Sequence, residues 1–447
     1  MKLKLFTLST LILTPLLMSA QTLTEISSEE ELMDYGGCQT FAMSPSGRYV
    51  CGATFVWSGF IYDNKEHKTV LIDDKVGALY VDDSVQLLDV NDSGTAVGFD
   101  DNGGIVVNVD GSYKVLGGYS SAMPLILPQG INGDGSVIVG AVANAAFVQQ
   151  ACYWKDGEFK TLPMLTSEEA GFQVNGSVAT DVSEDGSIIC GYILDRQATY
   201  PLVTWTLSDN GEYELNPVFM DYFESSNVAI RSDDGYIIGY ETGDNPYLIF
   251  TPGAMSPDGK TIVMQVVPNT EEIAYKIAFY DVETGKLDVI DNQGGVINNY
   301  GFFTIVSVSN NREAVGYAGI LGERMAPFIV YGATGEDMTL NQAFPNLSEL
   351  DRYQESQNQG MPYLATSINA NGDYIAGYAV TIVNGTMVAE AFIINTTGDD
   401  TGVDYIQDTD KKAVALYSVD GKKLDRPTRG VNIIKYSDGS SKKLYIK

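Results

Sequence analysis

From residue 42 to residue 378 the chain keeps returning to one pattern. Apolar and small residues lead into Ser or Asn, one or two polar residues follow, then Gly, then a short apolar run that usually ends in Gly. Its copies are AMSPSGRYVCGA from Ala42, DVNDSGTAVGF from Asp89, GINGDGSVIVGA from Gly130 and DVSEDGSIICGY from Asp181. Four more are IRSDDGYIIGY from Ile230, AMSPDGKTIVMQ from Ala254, SVSNNREAVGY from Ser307 and SINANGDYIAGY from Ser367. Each predicts a strand, a tight turn and a second strand. Such a turn needs positive φ, which glycine tolerates and Cβ-bearing residues resist. The flanking Val, Ile, Tyr and Ala fit a pleated, half-buried surface.

After most copies a second hairpin follows, as in ACYWKDGEFKTL, PLVTWTLSDNGEYEL, KIAFYDVETGKLDVI and APFIVYGATGEDMTL. Four strands per unit, repeated seven or eight times, is the signature of an all-β propeller. The phrase SPDGKTIVM…FYDVETGKL resembles the repeat of TolB-type propellers, and the commoner S-x-D-G-x-x-x-x-G…W form resembles the HAF-type extracellular propeller repeat. These resemblances span most of residues 37–395 and imply blades, not an activity.

Blade number turns on the fifth copy. Its Gly235 precedes Gly259 of the sixth by only two dozen residues, leaving room for YLIF as a third strand and little else. Eight blades are expected if that copy stands alone, seven if it merges. The last unit offers AEAFIIN as a third strand and no fourth. QTLTEIS, from Gln21, is expected to fill that open edge and close the ring.

Outside the repeats, residues 1–20 (MKLKLFTLSTLILTPLLMSA) have the basic start, apolar centre and small-residue end of a secretory signal. No Cys follows, so no lipid anchor is expected, and no other apolar run approaches membrane-spanning length. The expected organisation is signal 1–20, propeller 21–398, acidic linker 399–410 and a small β-module 411–447. The last segment carries ten Lys or Arg against three Asp. It resembles the C-terminal sorting segment of secreted Bacteroidetes proteins through Leu416-Tyr417, Gly421, Gly430, Ile433-Ile434 and a basic end that includes Lys442, Lys443 and Lys447. Asn432 stands where that family shows Tyr. The resemblance implies contact with type IX secretion machinery and an extracellular or cell-surface location, with the periplasm as the alternative.

Charge and chemistry narrow the function mainly by exclusion. The formal charge is −31, and the propeller segment is more acidic still. Phosphate backbones are therefore disfavoured partners. Cys51 and Cys190 precede repeat glycines where other copies carry small apolar residues, and so read as core. Cys38 and Cys51 flank one turn, but a bridge between them looks off register by two. The single histidine, His67, lies in a polar hairpin tip, which leaves no Ser-His or Cys-His nucleophile system and no multi-His metal site. No nucleophile elbow appears. GAMSPDGKT mimics a phosphate loop but has five residues between its glycines and sits inside a repeat. No metal or cofactor is expected. Turn aspartates such as Asp134, Asp185, Asp234 and Asp258 are explained by turn formation.

Loops on the face opposite the repeated turns are longer and rich in aromatics. Phe172, Tyr222, Tyr300, Phe302, Tyr353 and Tyr363 either line a funnel mouth that meets a sugar or peptide or cap the blades' apolar ends. The first expectation is a non-catalytic exported propeller binding a glycan, peptide or protein. The alternative is a carboxylate-dependent glycan-degrading enzyme, which needs two carboxyl groups about 5–10 Å apart. Buried carboxylates in the funnel would favour the enzyme; an apolar plug with rim aromatics would favour binding.

Overall fold

A computed structural model describes residues 21–26, 32, 36–55, 57–72, 84–101, 103–117, 125–146, 148–170, 173–195, 201–218, 228–231, 237–241, 247–268, 275–290, 295, 302–320, 324–383, 385–397, 413–418, 422–424, 430–436 and 441–446. The chain divides into two compact units, Met1–Asp400 and Thr401–Lys447.

The first unit is a propeller of seven four-stranded antiparallel blades. Blades 1 to 6 run from Cys38 to Leu71, Gln86 to Val115, Leu125 to Thr161, Val174 to Asn216, Tyr247 to Val289 and Phe302 to Thr339. Blade 7 takes three strands from Tyr363 to Asn395, and its fourth is the N-terminal strand Thr22–Glu25. That strand pairs antiparallel with Thr386–Asn395, Thr22 opposite Asn395 and Glu25 opposite Phe392. The open edge expected of the last unit is thus filled as the sequence implied. Arg352, on helix α2 (Glu349–Asn358; α1 is Leu340–Ala343), fastens the closure. Its guanidinium meets Glu25 at 2.8 Å and Glu390 of the neighbouring strand at 3.3 Å.

Seven blades, rather than the eight of the first expectation, follow from where the fifth repeat falls. Val228–Arg231 and Ile237–Glu241 form a two-stranded sheet that no other described strand joins. The YLIF run, read as its third strand, instead opens the inner strand of blade 5, Tyr247–Met255. Blade 4 meets blade 5 directly: the Glu184 amide donates to the Pro257 carbonyl (2.7 Å). Their shared core includes Cys190, Leu202, Met255, Ile262 and Met264. A hairpin alone lacks the outer strands that would bury its faces, so two dozen residues cannot supply a blade.

Cores of this kind lie between sheets. Seven apolar clusters join blade 1 to 2, 2 to 3 and onward round to 7 with 1. Every inner strand carries a bulge at the same level. The register slips between Thr40/Ala42, Leu87/Asp89, Pro128/Gly130, Ala179/Asp181, Pro252/Ala254, Ile305/Ser307 and Ala365/Ser367. Extra twist at one fixed level aims seven equivalent residues at the axis. The bulge also explains the repeat's closing glycine. At Gly191, a side chain would overlap the Val178 carbonyl oxygen of the inner strand.

The repeat's Ser or Asn is equally well accounted for. Ser44, Asn91, Asn132, Ser183, Ser256, Ser309 and Asn369 are all buried. Each side-chain oxygen accepts a backbone amide four or five residues on, for example Val137 to Asn132 (2.8 Å) and Thr261 to Ser256 (3.0 Å). Side-chain capping of this sort stabilises the turn locally.

All four cysteines are buried and none is in a disulfide. Cys38 lies opposite Thr54 and Cys51 opposite Ala42, so they do not face each other. The second unit contains a four-stranded antiparallel sheet in the order Lys423–Leu424, Ala413–Ser418, Gly430–Tyr436, Ser441–Ile446. Among the described residues, no helix is long and apolar enough to cross a membrane.

Candidate functional site

Two surfaces of the ring differ in chemistry, and each follows from strand direction. Inner strands run toward the repeated turns, so those turns gather on one face. The loops between second and third strands, and between blades, gather on the other.

On the turn face the inner strands enclose an axial cavity of about 150 Å³. Its lining includes Asp89, Gln129, Thr180, Asp181, Glu184 and Thr366 among apolar residues such as Phe41 and Met43. Asp89 and Asp181 occupy the position after the bulge in blades 2 and 4. Asp89 Oδ1 accepts the amide of Val90 (2.8 Å), and Oδ2 accepts that of Ile131 in blade 3 (2.8 Å). Asp181 repeats this with Val182 (2.8 Å) and with Met255 in blade 5 (3.2 Å). The equivalent residues of blades 6 and 7 are serines making the same inter-blade bond. Ser307 Oγ accepts from Ile368 (3.1 Å), and Ser367 Oγ accepts from Met43 (3.1 Å).

Burial dominates the ionisation of both aspartates. It pushes Asp89 up to about 8, helped by the charge of Asp181 and opposed by the two amide bonds. Asp181 is pushed up to about 7 by burial, again against its amide donors. Glu184, half-buried at the cavity, is raised by burial and then by Asp92, Asp185 and Asp258. Burial, and next the Asp89 charge, also raises the Cys51 thiol. Neither aspartate stood among the sequence candidates, yet aligned copies carry a signal. The position holds Ala42, Gly130, Ala254, Ser307 and Ser367 elsewhere, so Asp at 89 and 181 departs from a small-residue rule.

Around this cavity the turns form a closed girdle, each bonded to the next. Ser46 N donates to Asp92 Oδ1, Asn91 Nδ2 to Asn132 O, and Gly133 N to Glu184 O. Glu184 N donates to Pro257 O, Asp258 N to Asn310 Oδ1, Asn310 N to Ala370 O, and Ala370 N to Pro45 O. Asp134, Asp185 and Asp258 act within their own turns, accepting the amides of Ser136, Ser187 and Lys260. Asp234 lies outside the described residues.

The opposite face carries exposed apolar side chains. Trp57, Val148, Tyr275, Ile382 and Met387 stand on or beside second-to-third strand loops of blades 1, 3, 5 and 7, and Met164 on the link from blade 3 to 4. These are not the six aromatics expected from the sequence. Tyr353 and Tyr363 are not at a funnel mouth: both are fully buried with Phe392, whose ring stacks on that of Tyr353 at 5.3 Å. Helices α1 and α2 cover the flank of blade 7, and these two tyrosines form the contact. Phe172, Tyr222 and Tyr300 lie outside the described residues. Phe302 opens the inner strand of blade 6.

His67 sits at an exposed hairpin tip, its Nδ1 3.0 Å from the Tyr62 hydroxyl. Among the described residues no group of His, Cys, Asp and Glu is arranged to hold a metal. In the C-terminal sheet Tyr417 pairs with Lys423 and Ile433, Gly430 with Ile446, and Lys442 and Lys443 with Ile434 and Ile433. Gly421 and Lys447 lie outside the described residues.

No family model matches the sequence, and no curated protein matches it. Solved structures do. An oligogalacturonate lyase from Vibrio parahaemolyticus is 10% identical with TM-score 0.50, over 84% of this chain and 97% of that one. TolB from Acinetobacter baumannii is 14% identical with TM-score 0.37, and the match spans 67% of this chain but 62% of TolB. A puromycin hydrolase is 10% identical with TM-score 0.49, over 92% and 59%. At these identities the lyase shows a shared propeller fold alone.

Proposed function

We propose that this chain is an exported, non-catalytic propeller that binds a glycan, peptide or protein through its loop face. One observation carries the reading: exposed large apolar side chains recur on that face in four blades, while the turn face spends its polar groups on itself. Exposed apolar contacts rimmed by polar surface are what a binding face requires. Export rests on the signal-like residues 1–20, and surface delivery on the sorting-like segment with Tyr417, Gly421, Gly430, Lys442, Lys443 and Lys447. Secretion machinery is the partner proposed for that segment.

The enzyme reading draws on one specific observation, the raised ionisation of Asp89 and Asp181. Such groups serve as general acids when they face a substrate. Here every carboxylate oxygen already accepts a backbone amide, and serine performs the same task in blades 6 and 7. That identity of role favours a structural clasp. The test is an array of glycans and peptides, followed by incubation with any hit. Retained, unaltered ligand whose capture is lost in Tyr275→Ser/Ile382→Ser/Met387→Ser supports binding. Released product, abolished by Asp89→Asn/Asp181→Asn, replaces it with the enzyme.

A further inference from the structure

The chain has three tryptophans, and two are used as the core uses them. Trp154 and Trp205 lie fully buried in the third strands of blades 3 and 4. Their indole Nε1 groups donate to the carbonyls of Gly117 (2.7 Å) and Pro163 (2.8 Å). Trp57 is different in every respect. It is 44% exposed, stands on the loop face of blade 1, and its backbone has φ of 69°. That left-handed conformation suits Gly or Asn and disfavours a bulky residue.

The turn that imposes it is held from several sides. Trp57 N donates to Thr54 O (3.0 Å), Thr54 N to Ser58 O (2.7 Å), and Ser58 N to Thr54 Oγ1 (2.9 Å). Phe55 N donates to Gly37 O (3.0 Å), which ties the turn to the segment entering blade 1, and Val85 N donates to Trp57 O (2.6 Å). Glycine would satisfy this backbone without strain. Neither the turn nor the core calls for an indole here, and unfavourable conformations at exposed bulky residues point to function.

Polar groups begin one residue before the Val85 amide that the Trp57 carbonyl accepts. Ser84, adjacent in sequence to Val85, donates from its hydroxyl to Asp101 Oδ1 (3.0 Å) and from its amide to Oδ2 (3.3 Å); Ser84 is half-buried and Asp101 exposed. An exposed flat ring on the same stretch of loop face as a held carboxylate offers a pyranose both of the contacts it uses. The C–H face stacks on the indole, and hydroxyls donate to Asp101. The acidic body repels polyanions, which removes uronic-acid and sulfated chains. A single indole is a poor cage for a cation, which is usually enclosed by several rings.

We infer that Trp57, with Ser84 and Asp101, forms a stacking subsite for a neutral sugar ring. This rests on the binding reading above and names its ligand class. The full chain is titrated with neutral gluco-, manno-, xylo- and chito-oligosaccharides, with oligogalacturonate and tetramethylammonium as charged comparators. Acrylamide quenching of tryptophan fluorescence is the readout, since Trp154 and Trp205 are buried. A neutral oligosaccharide should shield Trp57. Trp57→Gly should bind about tenfold more weakly or worse while melting no lower than the parent chain. Unchanged sugar binding in Trp57→Gly overturns the subsite and leaves the binding reading standing. Capture of peptides alone, or preference for either charged comparator, overturns the sugar class. A marked fall in melting temperature in Trp57→Gly assigns the indole to stability and overturns the subsite too.

Discussion

The two faces of this ring are made by the same seven blades and differ in what their backbones have left to do. On the turn face, every hairpin is bonded to the next, and the small residues after each bulge either clasp a neighbour or leave room for one. On the loop face, side chains such as Trp57, Val148 and Met387 stand exposed and outside the apolar clusters of the ring. The contrast separates the face that holds the ring together from the face proposed to bind. A closed ring needs one level of strict geometry, and a short uniform hairpin supplies it. Variation is tolerated where connections are long.

That separation can be broken most forcefully at the inner strands. Gly191→Ala places a methyl group against the Val178 carbonyl and should cost about 3 kcal/mol or more. The checks are a fall in melting temperature and an unchanged loop-face ligand preference in whatever remains folded. Next in size is Asp181→Ala, which strands the buried amides of Val182 and Met255 and should cost about 2–3 kcal/mol. Asp181→Ser should recover much of that loss, because Ser307 and Ser367 perform the same job. Equal losses in both variants would show that the clasp is not the reason for the residue.

The aspartates also set a pH dependence with an unusual sign. Their folded values, about 8 and about 7, stand above the unfolded carboxylate value near 3.9. Between those limits the folded state holds more protons than the unfolded one. Their contribution is therefore complete below about pH 4, declines as pH rises from there, and is gone once pH has passed the folded values of about 7 and about 8. Melting temperature should fall from about pH 4 to about pH 8 and level off above that, and Asp89→Asn/Asp181→Asn should flatten the fall. A profile that rises with pH and does not respond to the double variant refutes it.

Smaller effects sharpen the same comparison. Arg352→Ala removes the tie between the N-terminal strand and blade 7 and should cost about 1 kcal/mol, since the pair is partly solvated. Amide exchange should quicken in Thr22–Glu25 before it does in blades 2 to 5. At the bottom of the scale, Val148→Ser or Met387→Ser should alter stability by less than about 0.5 kcal/mol. Melting curves check this directly, and a larger loss would make the loop face part of the fold's support.

Much of the architecture was written in plain periodicity. Ser or Asn, polar residues and Gly at constant spacing announce a turn whose capping oxygen and positive φ are both needed, so every such copy could be read. Even the exception is intelligible: Arg312 stands where glycine is expected, at φ of 62°. Its guanidinium reaches Asp288 at 2.9 Å and lies over the Phe279 ring. Edge pairing of residues 22–25 was legible because the last unit lacked a strand. Aromatic roles were not, since Tyr353 and Tyr363 read as loop aromatics until helix α2 brings Tyr353 onto blade 7 beside Tyr363 and Phe392.

Sequence alone, then, determined the blade, its turn chemistry and the strand that completes the circle, because each depends on neighbours along the chain. Only the tertiary structure decided that the ring closes at seven, that Asp89 and Asp181 meet the amides of other blades, and that Trp57 is left facing solvent. Those outcomes depend on which sheets become adjacent once the circle is shut, and local spacing holds no record of that.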